Sequence, residues 1–206
     1  MVIMKVSGVF LAVATTLVLA SLFEASTAVA IGPTDQIRGH VDEMYRLVSN
    51  ASERSASDRQ MAVRKVADRM FDWPEMAKGA LGKHWQERTP SERDEFIGLF
   101  ASVFERAYLS KIQLADAEHF AYLGETIEGE QARVRTTVTA KNGSVITVDY
   151  RTRVGEGGSW RVYDLDTEGI SLVGNYRTQF NSIIGRSSYA ELVKRLKAAK
   201  ESPGRG

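Results

Sequence analysis

The stretch QARVRTTVTAKNGSVITVDYRTRV, residues 131–154, decides the fold. Apolar residues return every second position on both sides of Asn142-Gly143, a turn signal at hairpin spacing. A two-residue Asn142-Gly143 turn would set Val138 opposite Thr147 and Thr139 opposite Ile146, mixing apolar and polar faces. A three-residue loop with Gly143 left-handed sets Val138 opposite Val148 and Ala140 opposite Ile146, and the bulged loop is therefore expected. Val134, Val138, Ile146, Val148 and Tyr150 then share one face, while Arg, Thr and Asp occupy the other. That pattern belongs to a sheet covered on one side only.

The same period of two extends outward. Strands are expected at roughly 118–127, 130–140, 144–154 and 159–165, separated by Glu128-Gly129, Asn142-Gly143 and the glycine-rich Gly155–Gly158. Upstream the period is helical. Ile37, Val41, Met44 and Leu47/Val48 mark one helix face, and Met61, Val66 and Met70 a second. Asp72-Trp73-Pro74-Glu75 reads as a helix start, with proline in the first turn where its missing N–H is no loss. Thr89-Pro90-Ser91-Glu92 has the form of a capping box, opening a helix over 90–112 whose stripe is Phe96, Leu99, Phe100, Val103, Phe104, Ala107, Tyr108 and Ile112. Downstream, Ile170, Val173, Tyr176, Phe180 and Ile183/Ile184 mark a helix ending near Gly185, and Ser188-x-x-Glu191 caps a last one carrying Leu192 and Leu196. The fold class is α+β: a twisted four-stranded antiparallel sheet packed on one face by several amphipathic helices.

The chain has 206 residues, 43% of them hydrophobic, with 27 Lys and Arg against 26 Asp and Glu. This charge balance gives no reason to expect a nucleic-acid partner, which would call for a basic excess. Lys5, the apolar run Val6 to Phe23 and Ala28-Val29-Ala30 together read as a secretory signal peptide over residues 1–30, with a retained membrane anchor as the alternative. The mature chain is then a single domain over 31–200, outside the cytoplasm, with a disordered tail at 201–206. There is no cysteine, so thiol chemistry, Cys-based zinc sites and iron–sulfur clusters are excluded, and stability must come from the core.

The segment DLDTEGISLVGN, residues 164–175, imitates two active motifs and satisfies neither. Its twelfth position is Asn175, where a calcium loop needs a bidentate acid, and Val173 stands where the serine-hydrolase elbow needs glycine. Asp166, Thr167 and Glu168 are expected to start the following helix. His40, His84 and His119 fall on three separate elements without partner acids, so no metal, cofactor or catalytic residue is expected, and the chain is not read as an enzyme. What remains is apolar: the 90–112 stripe, the sheet face, the Trp73–Trp85 segment and the 170–184 helix. They either fill one packed core, as in a secreted structural or protein-interaction module, or enclose a cavity for an apolar ligand. In the second reading the lining candidates are Trp85, Phe100, Phe104, Tyr108, Ile112, Ile146, Val148, Ile170 and Val173.

Phe71-Asp72-Trp73-Pro74, Leu81-Gly82-Lys83-His84-Trp85, Thr89-Pro90-Ser91-Glu92-Arg93, Phe104-Glu105-Arg106-Ala107-Tyr108 and Trp160-Arg161-Val162-Tyr163-Asp164, followed by Glu168 to Val173 and Tyr176-Arg177, resemble the MlaC or toluene-tolerance family. The likeness spans most of the mature chain. It implies a periplasmic lipid carrier, an ABC-transporter auxiliary component, that shuttles phospholipid between an outer-membrane lipoprotein complex and an inner-membrane ABC transporter complex. It implies a fold built around a deep apolar pocket, with Tyr108, Ile146 and Ile170 matching positions that face acyl chains. A hopanoid-associated branch makes a hopanoid-like lipid the alternative ligand. A monomer is expected.

Overall fold

The computed structural model describes residues 31–49, 55–109 and 117–201. The expected signal peptide at 1–30 and tail residues 202–206 lie outside the described residues. The elements run α1 (Pro33–Ser49), α2 (Ala56–Met70), α3 (Trp73–Leu81), a 3₁₀ turn (Gly82–Trp85), α4 (Pro90–Phe104), a π-helical turn (Glu105–Leu109), β1 (Ala117–Glu128), β2 (Gln131–Ala140), β3 (Val145–Val154), β4 (Trp160–Thr167), β5 (Ile170–Ser171), α5 (Leu172–Arg186) and α6 (Tyr189–Glu201). The strands form one antiparallel sheet in the order β1-β2-β3-β4-β5. It has five strands rather than the four expected, because a two-residue strand is too short to show a period.

The helix starts follow local chemistry. Thr89 Oγ1 accepts from the Glu92 N–H while the Glu92 carboxylate accepts from the Thr89 N–H, closing the capping box. Asp72 caps α3 by accepting from Glu75 N–H at 3.0 Å, and Ser188 caps α6 through Glu191 N–H at 3.1 Å. Each helix then turns one apolar stripe inward. Ile37, Val41 and Met44 of α1, Phe96, Phe100 and Phe104 of α4 and Tyr176 and Phe180 of α5 are all buried. Around α4 runs a chain of ring contacts: Phe71 to Trp73 at 4.9 Å, Phe71 to Phe104 at 5.6 Å, Phe100 to Tyr176 at 5.3 Å and Tyr176 to Phe180 at 5.3 Å. Offset and edge-on rings of this kind add to the burial of their area.

The β2–β3 hairpin closes over Lys141-Asn142-Gly143, with Gly143 left-handed at φ 80°. The three-residue loop matches the sequence reading, but the register is displaced by two residues: Val138 faces Ile146 and Thr136 faces Val148. Asn142 Oδ1 accepts from Ser144 N–H at 3.0 Å, which centres the loop on Asn142 and makes Ala140 and Ser144 its closing pair. A slip of two preserves alternation, so the apolar face is the expected one. Buried Thr136 and Thr152 on that face donate to the Val148 and Ala132 carbonyls. The outer face carries Arg133 paired with Asp149 at 3.7 Å and Arg151 with Asp166 at 3.4 Å. The edge strand β1 is irregular twice, between Ala117 and His119 and between Tyr122 and Gly124, and Gly124 has φ 121°.

The expected helix over 90–112 ends differently. After Phe104 the backbone widens into the π turn, so the stripe shifts phase and Tyr108 no longer continues the Phe96–Phe104 line. Glu105 opens this turn. Its side chain is 16% exposed, one carboxylate oxygen is buried without a hydrogen bond, and the other lies 3.5 Å from Arg64. Burial pushes its pKa up to about 7, with Asp68 adding to the rise and Arg64 opposing it. A folded pKa above the unfolded value means a stabilising contribution that is full below the unfolded pKa, near 4.5, and lost as pH rises through about 7. Scanning calorimetry at pH 5 and pH 8 is expected to show wild type losing roughly 3 °C more in Tm than Glu105→Gln, once solvent access is allowed for. Parallel pH profiles would show that Glu105 titrates as an ordinary surface acid.

Candidate functional site

Register assigns the inner face of the sheet to four cross-strand rows: Ala132, Thr152 and Val162; Val134, Tyr150 and Leu165; Tyr122, Thr136, Val148, Thr167 and Ile170; and Phe120, Val138 and Ile146. The helices cover the first two rows completely, with Val134 and Val162 at 0% exposure. Cover then thins toward the β2–β3 hairpin. Ile146 is 41% exposed and Ile170 60%, while Phe120 and Val138 are half-buried. Proteins seldom leave neighbouring β-branched and aromatic side chains to water unless something apolar meets them. Tyr45 of α1 stands edge-on to Phe120, with ring centroids 6.3 Å apart, and borders this open end. Burial pushes the Tyr122 phenol up to about 12 and raises that of Tyr150, so both stay neutral on an apolar face.

The segment 164–175 frames the same end of the sheet. Asp166 and Thr167 complete β4, and Glu168-Gly169, at φ 52° and φ 80°, form a two-residue turn into β5. Positive φ at both central residues fits the mirror-image turn that matches strand twist. The expectation that Asp166, Thr167 and Glu168 start the helix is thus corrected, as is the placing of Ile170 on that helix. The acid at the helix is Asp164, which is 5% exposed. It accepts from Ser171 Oγ at 2.6 Å and from Val173 N–H at 3.1 Å, and Ser171 Oγ in turn accepts from Gly174 N–H at 2.9 Å. Ser171 is therefore held as a helix cap, with no histidine among its hydrogen-bond partners. The Glu168 carboxylate accepts from Thr147 N–H at 2.6 Å, tying the turn to β3.

Polar groups elsewhere do not converge. His84 Nε2 lies 3.1 Å from Asn181 Oδ1, and burial, followed by Arg69, lowers the pKa of His40. Among the described residues no group of three or more His, Cys, Asp or Glu side chains is placed to hold a metal ion, and no helix is long and apolar enough to cross a membrane.

The family model of the MlaC protein matches residues 39–198. The chain belongs to the MlaC family. Toluene tolerance protein ttg2D of Pseudomonas putida is 24% identical over 202 residues, covering 91% of this chain and 94% of that protein. The fold matches a phospholipid-binding protein from Ralstonia solanacearum, solved in complex with a phospholipid, with a TM-score of 0.71 and 23% identity over 81% of this chain and 95% of that one.

Within this MlaC fold the sequence-derived candidates fall into separate places. Ile146, Val148 and Ile170 come together on the open end of the sheet. Phe100 and Phe104, both at 0% exposure, and Val173 at 5% lie in the packed core beneath it. Trp85 sits in the 3₁₀ turn beside α3 and α5, with the Arg93 guanidinium 5.2 Å from its ring. The side chain of Tyr108 and all of Ile112 lie outside the described residues. Sequence reasoning omitted Phe120, Val138 and Tyr45 from the candidates. Alternation in β1 and β2 was enough to place Phe120 and Val138, whereas Tyr45 lies off the buried stripe of α1 and carried no such signal.

Proposed function

We propose that this MlaC-family chain is a periplasmic phospholipid carrier that takes acyl chains against the open apolar end of its sheet. The observation that carries the reading is the pair of cross-strand rows ending in Ile146 and Ile170, exposed on a fold that in its Ralstonia relative is solved with a phospholipid. Ile146, Val148 and Ile170 line the site with Phe120 and Val138, and Phe100, Phe104 and Val173 form the packed floor under it. Tyr108 and Ile112 belong to the segment that leads from the π turn toward β1. Transfer of an acyl chain from water stabilises binding by about 0.8 kcal/mol per CH₂, offset by lost chain freedom and by opening of the protein. The large remainder makes spontaneous release slow, so a partner must help discharge the lipid. The family places an outer-membrane lipoprotein complex and an inner-membrane ABC transporter complex at the two ends of this route. A leader at residues 1–30 delivers the chain to the periplasm, and lipid changes hands without a covalent step.

The test is direct. Protein purified from the periplasm of a Gram-negative host is extracted with organic solvent and the lipid analysed by mass spectrometry. About one phospholipid per chain is expected. A hopanoid-like lipid would redefine the cargo, and a protein free of lipid would sink the carrier reading.

A further inference from the structure

A cavity of about 490 Å³ lies between α1 and the edge strand β1, lined by Arg38, Asp42, Tyr45, His119, Phe120 and Tyr122. Its size is that of a ligand pocket. Its apolar wall consists of Tyr45, Phe120 and Tyr122, and the last two belong to the rows that run across the sheet to Ile146 and Ile170. Its polar wall is mixed in sign. Arg38 and Asp42 are four residues apart on one side of α1, the spacing at which opposite charges usually pair. Here they do not pair. The guanidinium of Arg38 sits 4.6 Å from the centroid of the Tyr122 ring, and its ion pair is with Asp35 at 3.4 Å, where both side chains are largely exposed. An exposed pair of that kind is weak and easily exchanged for another anion. Asp42 has no ion pair among the described residues. The Tyr122 hydroxyl is buried and makes no hydrogen bond, a cost that a ligand acceptor would remove.

We propose that this cavity receives the headgroup of a zwitterionic glycerophospholipid: its phosphate between the Arg38 guanidinium and the Tyr122 hydroxyl, its ammonium against Asp42 and the ring of Tyr45. The inference rests on the carrier reading above and specifies which lipid that carrier prefers. A single cation and a single anion held apart beside aromatic rings complement a phosphate and an ammonium joined by a short linker. Guanidinium and phenol donate to phosphate oxygens, and a carboxylate with an aromatic face receives an ammonium. His119, at the rim, adds a further donor to the phosphate side. An anionic headgroup such as phosphatidylglycerol would satisfy Arg38 but meet Asp42 as a like charge. A free phosphate would leave both Asp42 and the apolar wall unused.

The full-length mature protein is stripped of lipid and incubated with vesicles of equimolar phosphatidylethanolamine and phosphatidylglycerol, and the captured lipid is counted by mass spectrometry. Wild type is expected to take phosphatidylethanolamine by severalfold. Asp42→Asn, which removes the like charge, is expected to bring the ratio to parity or reverse it, with total lipid per chain unchanged. Tyr122→Phe removes one hydroxyl and is expected to accelerate release of both lipids by roughly tenfold, without changing the ratio. Unchanged circular dichroism in each variant confirms that the effect is local. If Asp42→Asn loads the two lipids in the wild-type ratio, or Tyr122→Phe releases them at the wild-type rate, the headgroup lies elsewhere and this proposal is overturned while the carrier reading stands. Inorganic phosphate competing equally with vesicle lipid would also overturn it, by showing a plain anion site. A wild type that captures no lipid overturns both.

Discussion

Replacing Ile146 by Asp, or Ile170 by Glu, is expected to yield a folded protein that carries less than roughly a tenth of the wild-type lipid, since burying an unpaired carboxylate costs several kcal/mol. Both side chains are substantially exposed, at 41% and 60%, so in the empty protein water reaches the new carboxylate and the fold loses little, roughly within 0.5 kcal/mol as for other surface changes. An acyl chain laid over the same position removes that water, and the ionised group then sits unpaired in hydrocarbon. The measurement is lipid per chain by mass spectrometry, with far-UV circular dichroism and Tm as controls. Folded variants with undiminished lipid would show that the chains lie on another face. Unfolded variants would mean that these positions belong to the core.

Phe100→Ala is expected to do the reverse. Its ring is at 0% exposure and meets Phe96, Phe104, Tyr176 and Phe180 at centroid distances of 6.2, 5.9, 5.3 and 6.3 Å. Deleting it removes apolar burial and leaves a cavity that four other rings cannot fill without leaving their rotamers. The expected cost is about 4 kcal/mol, which for a domain of this size lowers Tm by roughly 10 °C. Denaturant unfolding should show the midpoint falling with the slope nearly unchanged. If the Tm stays within about 2 °C and lipid content drops instead, Phe100 lines the pocket and the packed floor lies deeper.

The two predictions separate residues that share one pattern in the sequence. A stripe such as Phe96, Phe100 and Phe104 has the same spacing whether it faces packed rings or a ligand, because periodicity reports which side of a helix is apolar and nothing about what covers it. The capped helix starts at Asp72, Thr89 and Ser188 were legible because each depends on neighbours within three residues. Alternation in β2 and β3 was legible for the same reason and put Val138, Ile146 and Val148 on the correct face. The register was not, since Lys141-Asn142-Gly143 and a loop centred one residue later both preserve that face, and the choice rests on the Asn142 side chain. Strand β5 and the π turn were hidden too. β5 is only two residues long, and the phase shift after Phe104 is set by how α4 meets its surroundings rather than by any residue in Glu105–Leu109. Asp164 was misassigned because three acids alternate there, and which of them turns inward depends on the irregularity between β3 and β4.

The double irregularity of β1 bears on how such a molecule stays dispersed. One side of the sheet ends in the two residues of β5, and the other in β1, which shows Leu123 at 58% and Ile127 at 51% exposure. A straight strand with those side chains would invite a neighbouring molecule to add its own strand, especially beside an apolar face that is half open. The breaks at Ala117–His119 and Tyr122–Gly124 put the outward N–H and C=O groups out of the even spacing that a newcomer would need. A protein exposing apolar side chains for a cargo thus avoids offering the same side chains, in a continuous ladder, to copies of itself.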